Sequence, residues 1–271
     1  MATTQQNPFS HATAFATRAA RAGGEPDPAT GAVVPPIVQS TTFRQPGIGR
    51  DLGFTYSRAQ NPTVAALERC LGALEQAEPA VAFASGLAAE TALFLALCEQ
   101  GDHVVVSDVV YGGTVRLLRQ LLARLGIAST FVDATDLEAV HAAIEGRTKL
   151  LFVETPANPT LKLCDLRALA SLAQQKGIPL AVDNTFLTAA VQRPLDLGAS
   201  LSLYSTTKLV EGHNGAIGGA ILVPLLRADL RIAESVSPST YSSTMRSCSS
   251  SWMMSRVGTT FGWRIFAATR A

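Results

Sequence analysis

The sequence predicts an α/β fold in which helices cover both faces of a mainly parallel seven-stranded sheet. Three observations predict it. Seven short apolar runs lie between about residues 61 and 223, helical patterns separate most of them, and the runs are nearly continuous in Val, Ile and Leu. Continuous apolar runs are typical of strands that are buried on both faces, as in parallel sheets.

Each predicted element follows from its local pattern. The first strand, "AVAFAS", ends in a Ser-Gly turn, and the helix after it stops at Gly101. The strands are predicted at residues 80–85, 102–108, 128–133, 149–155, 179–185, 199–205 and 216–223, and the helices at 87–100, 113–126, 137–146 and 166–177. In such a sheet, ligands bind at the carboxyl ends of the strands.

Composition favours small-molecule chemistry. The chain of 271 residues has 22 basic and 21 acidic residues and a net charge of +1, which predicts no broad field for nucleic acid or membranes. The four cysteines form no Cys-x-x-Cys motif and pair with no nearby histidine, which argues against a metal site and is typical of a reduced cytoplasmic protein. No apolar run reaches the roughly 18 residues that a membrane-spanning helix needs.

A lysine in an unusual setting is the first candidate for chemistry. Lys208 lies in "SLYSTTKLVEGHNGAIGGA", after a predicted buried strand and a cluster of small hydroxyl residues. A lysine at the end of such a strand is either held by an anion or used as an amine. The pattern alone leaves both readings open.

Two further strand ends supply complementary groups. Gly86, at the start of a predicted helix, lets the backbone approach an anion closely, and helix N-terminal N–H groups favour such binding. Asp183 ends the strand "LAVDNT"; taken alone, an Asp at the end of a strand is more often a capping residue than a functional one. Together, an amine, an acid, hydroxyls and an anion site are what a pyridoxal phosphate pocket needs. This combination favours the use of Lys208 as an amine.

Seven segments, in order, carry a family resemblance: "GAVVPPIVQSTTF", "YSRAQNPTVAALE", "AFASGLAA", "VVYGGT", "VETPANPTL", "AVDNTF" and "YSTTKLVEGHNGAIGGA". The chain resembles the Cys/Met-metabolism family of pyridoxal-phosphate enzymes, which includes cystathionine γ-synthases, γ-lyases and β-lyases and homoserine sulfhydrylases. The resemblance implies the large domain of the aspartate aminotransferase-like fold, fold type I, preceded by an extended N-terminal arm. It also implies a transferase or lyase acting on sulfur amino acids.

The resemblance implies roles for individual residues. Lys208 is the Schiff-base lysine and later moves protons on the substrate. Asp183 pairs with the pyridine nitrogen, Tyr111 stacks on the ring and is a candidate acid/base, and Asn158 contacts the ring hydroxyl. Two subunits bind the cofactor phosphate. One subunit contributes Gly86, Leu87, Ser205 and Thr207, and the neighbouring subunit contributes Tyr56 and Arg58. A homodimer or homotetramer is therefore expected.

Three regions are predicted. Residues 1–60 form the arm that contributes to the neighbouring subunit, 61–234 form the cofactor-binding domain, and 235–271 form an atypical serine-rich tail. The tail contains no Asp, Glu or Lys and does not resemble the family's smaller C-terminal domain, whose arginine binds the substrate carboxylate. Impaired turnover is therefore expected.

The favoured reaction is γ-replacement or γ-elimination on homoserine esters or cystathionine, as in a cystathionine γ-synthase. Gly113 stands where methionine γ-lyases tend to carry cysteine, which argues against that member of the family. The segment "EGHNGAIGGA" resembles γ-synthase, γ-lyase or sulfhydrylase sequences more than β-lyase sequences. The alternatives are a catalytically impaired remnant that binds cofactor or only assembles, and a cystathionine β-lyase or O-acyl-homoserine sulfhydrylase. A further rival is a nucleotide or sugar-phosphate module using Ser85 and Gly86.

Overall fold

The computed structural model describes residues 14–77 and 79–224, so the predicted serine-rich tail at 235–271 lies outside the described residues. Within them the predicted α/β architecture is confirmed. The seven strands form one sheet in the order β1-β7-β6-β5-β4-β2-β3. β7 runs antiparallel to both of its neighbours, and the other pairs are parallel, so the sheet is mainly parallel as expected.

All seven strands coincide with the predicted apolar runs. Their bounds are β1 Val81–Phe83, β2 His103–Ser107, β3 Ala128–Val132, β4 Thr148–Glu154, β5 Leu180–Asp183, β6 Leu201–Tyr204 and β7 Gly219–Leu222. Every residue of β2, β5, β6 and β7 is buried, which agrees with central strands covered on both faces.

Seven α-helices are present in the described part of the chain: α1 Phe15–Arg21, α2 Pro62–Glu75, α3 Gly86–Leu97, α4 Gly112–Arg116, α5 Leu137–Ala143, α6 Leu166–Lys176 and α7 Thr188–Val191. A short 3₁₀ helix lies at Pro194–Leu197. None of the helices within residues 14–77 and 79–224 combines the length and the apolar character needed to cross a membrane.

The helix predicted over 113–126 is not one regular α-helix. After α4 the chain widens into a π-helical turn at Leu117–Leu121 and then tightens into a 3₁₀ turn at Leu122–Leu125. Gly126 ends it with a φ of 80°. No proline or internal glycine marks the change of winding, so the sequence gives no warning of it.

Two apolar layers enclose the sheet. On one face, the rings of Phe94 and Phe152 pack with their centroids 5.2 Å apart, together with Leu118 and Leu203. On the other face, Leu169 of α6 packs against residues of β4 and β5. Helices cover both faces of the sheet. The place available to a polar ligand is therefore the carboxyl edge of the sheet, where β1, β2, β4, β5 and β6 end.

The arm rests on the start of α2. The Asn61 side chain caps this helix by accepting a hydrogen bond of 2.8 Å from the Thr63 N–H, and its own amide donates to the Val38 carbonyl at 3.0 Å. Thr42 and Tyr56 pair across an antiparallel bridge. These contacts place the segment that carries Tyr56 and Arg58 beside α2.

Candidate active site at the carboxyl edge of the sheet

A short chain of hydrogen bonds joins the ends of β5 and β6. Asp183 is 6% exposed and accepts hydrogen bonds from the Thr185 N–H at 3.0 Å and the Thr185 hydroxyl at 2.5 Å. The Thr185 oxygen accepts in turn from the Ser205 N–H at 2.8 Å. The predicted acid is thereby fixed relative to the predicted phosphate ligand Ser205.

Lys208 lies in the turn that follows β6. Its N–H donates to the Ser205 carbonyl at 3.2 Å, and its carbonyl accepts from the Gly212 N–H at 2.8 Å. The Lys208 side chain is exposed at the sheet edge, and no carboxylate within residues 14–77 and 79–224 forms an ion pair with it. Its backbone is held while its amine is left accessible.

The start of α3 forms a close-fitting cradle. Ser85 caps the helix by accepting from the Ala88 N–H at 3.1 Å, and the N–H groups of Gly86 and Leu87 occupy the first two helical positions, where no intrahelical partner exists. A Cβ atom at Gly86 would lie 2.7 Å from Ser205 Cβ. The helix dipole and these N–H groups make an anion site beside the Ser205 hydroxyl.

The loop before β7 supports the Lys208 turn. The Thr207 hydroxyl donates to the Gly218 carbonyl at 3.2 Å and accepts from the Gly218 N–H at 3.0 Å. The predicted phosphate ligand Thr207 is thus engaged with the backbone in the structure. A Cβ atom at Gly219 would lie 2.2 Å from the Ser85 carbonyl oxygen, so β7 directly abuts the cradle.

Tyr111 and Asn158 approach the same edge from the ends of β2 and β4. The Tyr111 side chain is 53% exposed, and its ring packs over Gly113, where a Cβ atom would lie 2.3 Å from a ring carbon. Both residues donate their backbone N–H groups to Glu154, Tyr111 at 2.7 Å and Asn158 at 3.2 Å. The ring and the amide that the sequence singled out therefore share one anchor.

Three buried carboxyl groups give the floor of the site its electrostatic character. Burial raises the pKa of Asp183 despite the hydrogen bonds from Thr185, and burial together with the Asp183 charge raises the pKa of Glu154 to about 7. Burial raises the pKa of Glu90 to about 8, with a further contribution from Asp183. No basic side chain in the described ranges forms an ion pair with any of the three. The floor consequently favours a cationic group.

Tyr56 and Arg58 lie apart from this cluster within the chain. Both are exposed, and the Arg58 guanidinium lies 5.1 Å from the centroid of the Tyr56 ring. Over the described residues, no hydrogen bond or ion pair joins either side chain to Ser205, Lys208 or Asp183. Their action at another subunit's site stays a prediction.

These residues fit pyridoxal phosphate. A cradle without side-chain bulk at Gly86 suits a phosphate, the buried Asp183 suits a protonated ring nitrogen, and the exposed amine of Lys208 can reach an aldehyde. The ring of Tyr111 offers a face for stacking. The donor set therefore matches the cofactor predicted from the sequence.

Three supporting residues were missed from the sequence. Glu154 ends β4 as Asp183 ends β5, so the strand-end signal used for Asp183 was equally available for it. Thr185 follows Asp183 by two residues, the spacing at which an Asp side chain bonds the backbone locally. Glu90 lies inside a helical pattern and carries no comparable signal; in the structure it accepts a hydrogen bond of 2.7 Å from the Thr114 hydroxyl.

Comparison with known protein families identifies the family to which the chain is similar. Residues 16–271 match the family described as Cys/Met metabolism PLP-dependent enzyme. This match extends over the serine-rich tail at residues 235–271, which was not expected to resemble the family.

Individual relatives are similar over a shorter region. The chain is 50% identical over 208 residues to a probable cystathionine gamma-synthase of Herpetosiphon aurantiacus, covering 77% of this chain and 65% of that protein. It is 48% identical over 208 residues to a cystathionine beta-lyase of Coxiella burnetii, covering 76% of this chain and 54% of the relative. The chain thus spans between half and two thirds of these relatives.

The fold is also similar to a solved structure. The crystal structure of metB from Corynebacterium glutamicum superimposes with a TM-score of 0.80 at 39% identity, covering 85% of this chain and 60% of the other. The fold is therefore shared with that protein over most of this chain.

Proposed function

Because the chain belongs to the Cys/Met metabolism family of PLP-dependent enzymes, we propose that it catalyses trans-sulfuration chemistry at the γ carbon. The substrates would be homoserine esters or cystathionine, and the reaction γ-replacement or γ-elimination. The single observation that carries this proposal is the site at the sheet edge, where Lys208, Asp183 and the α3 cradle meet. The similarity to a probable γ-synthase supports the choice of γ chemistry.

Pyridoxal phosphate, when bound, supplies an aldehyde for amines and a ring that withdraws electrons from the substrate α carbon. The cradle at Gly86 and Leu87, with the Ser205 hydroxyl, would hold its phosphate. Thr207 would contribute once its hydroxyl turns from Gly218. The buried Asp183 carboxylate would keep the proton on the ring nitrogen, because a nearby negative charge favours the protonated, cationic form of that nitrogen. Tyr111 would cover the ring and Asn158 would contact the ring hydroxyl.

Two side chains would move protons. The Lys208 amine is exposed at the edge and can take a proton from the substrate α carbon when it is neutral. Tyr111 is exposed at the same edge, and its hydroxyl can give or take a proton at the substrate amine or at the leaving group. Because Lys208 and Tyr111 are both exposed at the same edge of the sheet, their placement supports these two separate proton-transfer roles.

The experiment that tests the function begins with the cofactor. The full chain, purified with pyridoxal phosphate, should be yellow, and borohydride should fix the cofactor on the peptide that contains Lys208. Lys208→Ala should remove this covalent attachment entirely. Lys149→Ala, which removes a half-exposed lysine at the start of β4, should leave it unchanged. A colourless wild-type protein that binds no cofactor would contradict the proposal.

Substrate assays separate the alternatives. Cystathionine converted to 2-oxobutyrate indicates γ-elimination, whereas pyruvate indicates β-elimination, as for the β-lyase to which the chain is 48% identical. Consumption of an acyl-homoserine with sulfide indicates a sulfhydrylase. Cofactor attachment without turnover of any of these compounds would favour the impaired remnant.

We also propose the subunit arrangement and the three-region division. The arm at residues 1–60 would carry Tyr56 and Arg58 to the phosphate of a neighbouring subunit, so the smallest functional unit would be a dimer. The exposed apolar side chains of the arm, among them Val34 and Ile37, support burial against another chain. Residues 61–234 would form the cofactor domain and 235–271 a separate tail. The cytoplasmic location stays a prediction.

Subunit complementation tests the shared site. Arg58→Ala and Lys208→Ala homo-oligomers should each be defective in holding the cofactor covalently, the first weakly and the second completely. Mixed oligomers formed by co-refolding should regain one intact site per dimer, because Arg58 from one subunit then meets Lys208 of the other. The measurement is borohydride-fixed cofactor per chain at a limiting cofactor concentration. No gain on mixing would contradict the arrangement.

A further inference from the structure

Glu154 occupies a place that links two loops of the site. It is the last residue of β4, is 4% exposed, and pairs in register with Asp183 of the parallel strand β5. In-register residues of neighbouring strands point to the same face. The carboxyl groups of Glu154 and Asp183 therefore lie side by side at the edge where the cofactor is proposed to bind.

Each oxygen of the Glu154 carboxylate holds a different loop. Oε2 accepts the Tyr111 N–H from the loop between β2 and α4, at 2.7 Å. Oε1 accepts the Asn158 N–H from the loop between β4 and α6, at 3.2 Å. The Glu154 N–H donates to the Ser107 hydroxyl of β2 at 3.3 Å, which ties the anchor itself to the sheet.

The held backbone determines where the two side chains lie. The Tyr111 ring rests on Gly113 below and is attached to a backbone whose N–H is fixed by Glu154. The Asn158 loop is also fastened on its outer side, where Lys162 forms ion pairs with Asp108 at 3.0 Å and with Asp133 at 2.8 Å. Glu154 thus holds the inner side of the Asn158 loop, and it also joins this loop to the loop that carries Tyr111.

From this geometry we propose that Glu154 is a positioning residue that sets the ring of Tyr111 and the amide of Asn158 against the cofactor. The inference rests on the proposed function, since it concerns the cofactor's surroundings. Glu154 acts through its two backbone bonds and touches neither substrate nor cofactor. Only a group with two acceptor oxygens can do this, because an amide offers one acceptor and an NH₂ group that opposes the second N–H.

The test is therefore Glu154→Gln, a change that keeps the shape and removes one acceptor. We expect about a tenfold loss of pyridoxal phosphate affinity, in line with the loss of one hydrogen bond to a buried N–H that then faces the amide NH₂ group. A changed visible circular dichroism of the bound cofactor, which reports ring orientation, should accompany it. Glu68→Gln is the matched control, because the half-buried Glu68 accepts a single N–H, from Ala82 at 3.0 Å, which an amide can also accept.

A double-mutant comparison separates positioning from general stability. In a background lacking both side chains, Tyr111→Ala with Asn158→Ala, Glu154→Gln should cost less than about threefold in affinity, because interacting groups are non-additive. A tenfold loss that persists in this background would overturn the proposal, as would wild-type affinity and circular dichroism in Glu154→Gln. If Glu154→Gln does not fold, Glu154→Asp replaces it in the same double-mutant comparison. Aspartate keeps the carboxyl group, but its shorter side chain cannot reach the N–H groups of both loops. Failure of the wild-type chain to bind cofactor would instead refute the proposed function.

Discussion

Asp183→Asn is expected to make the protein more stable and chemically almost inert. Asparagine keeps an oxygen that can accept both hydrogen bonds from Thr185, so the local geometry should survive. It cannot hold a proton on the cofactor's ring nitrogen. We expect the rate of α-proton exchange of a bound amino acid to fall by about 10²- to 10³-fold, as when one preorganised electrostatic partner is removed.

The gain in stability has a definite pH dependence. Burial raises the pKa of Asp183 above its ordinary value of 3.8, so the folded state holds a proton that the unfolded state releases. The stability of the wild-type chain should therefore fall as the pH rises above that value, and the asparagine variant should not show this loss. A difference on the order of 1–2 kcal/mol near neutral pH is expected from the cost of a buried, unpaired charge.

Two measurements check this prediction. Chemical unfolding of both proteins without cofactor between pH 4 and 8 gives the stability difference, and hydrogen–deuterium exchange of an amino acid substrate gives the chemical rate. Asp136→Asn is the control, since this exposed N-cap also accepts two N–H bonds but lies at the start of α5. Unchanged exchange in Asp183→Asn would remove Asp183 from the mechanism.

Gly219→Ala is expected to damage the fold and the anion site together. The added Cβ would lie 2.2 Å from the Ser85 carbonyl oxygen and 2.8 Å from the Gly86 nitrogen, both backbone atoms that have no room to move without shifting α3. Overpacking of this kind costs about 1–3 kcal/mol, and more where the backbone must move. Displacement of the α3 N-terminus should also weaken pyridoxal phosphate binding by at least about tenfold.

Gly146→Ala provides the comparison for this change. No atom lies within 4 Å of a Cβ added at Gly146, so the substitution should be nearly neutral. Thermal unfolding and cofactor titration of the two variants give both effects. Equal melting temperatures and affinities for the two would show that β7 does not support the cradle.

The strand-end residues of the site could be predicted from the sequence because of their neighbours in the chain. Lys208 and Asp183 each lie at the end of an apolar run, where a charged residue is unusual unless it has a function. Hydroxyl residues also precede the lysine. Glu154 follows the same kind of run, yet its role depends on loops that return from β2 and β4. That convergence is a product of sheet order, which no local pattern encodes.

Other features depend on packing. An apolar run predicts a strand but not its direction, so the antiparallel setting of β7 could not be read from residues 216–223. The widened turn at Leu117–Leu121 likewise has no local marker. Tyr56 and Arg58 gained a role only from the family resemblance, since as isolated residues they are an exposed tyrosine and an exposed arginine.

The antiparallel strand β7 also has a consequence for how the protein is made. Among the residues that the structure describes, β1 pairs only with β7, for example Phe83 with Gly219, so the strand that leads into α3 gains this sheet partner only after β7 has left the ribosome. Pairings so distant in sequence form slowly and leave strand edges open to other chains. The cofactor cradle should therefore be among the last parts to assemble, and a nascent chain halted before β7 should be prone to aggregation.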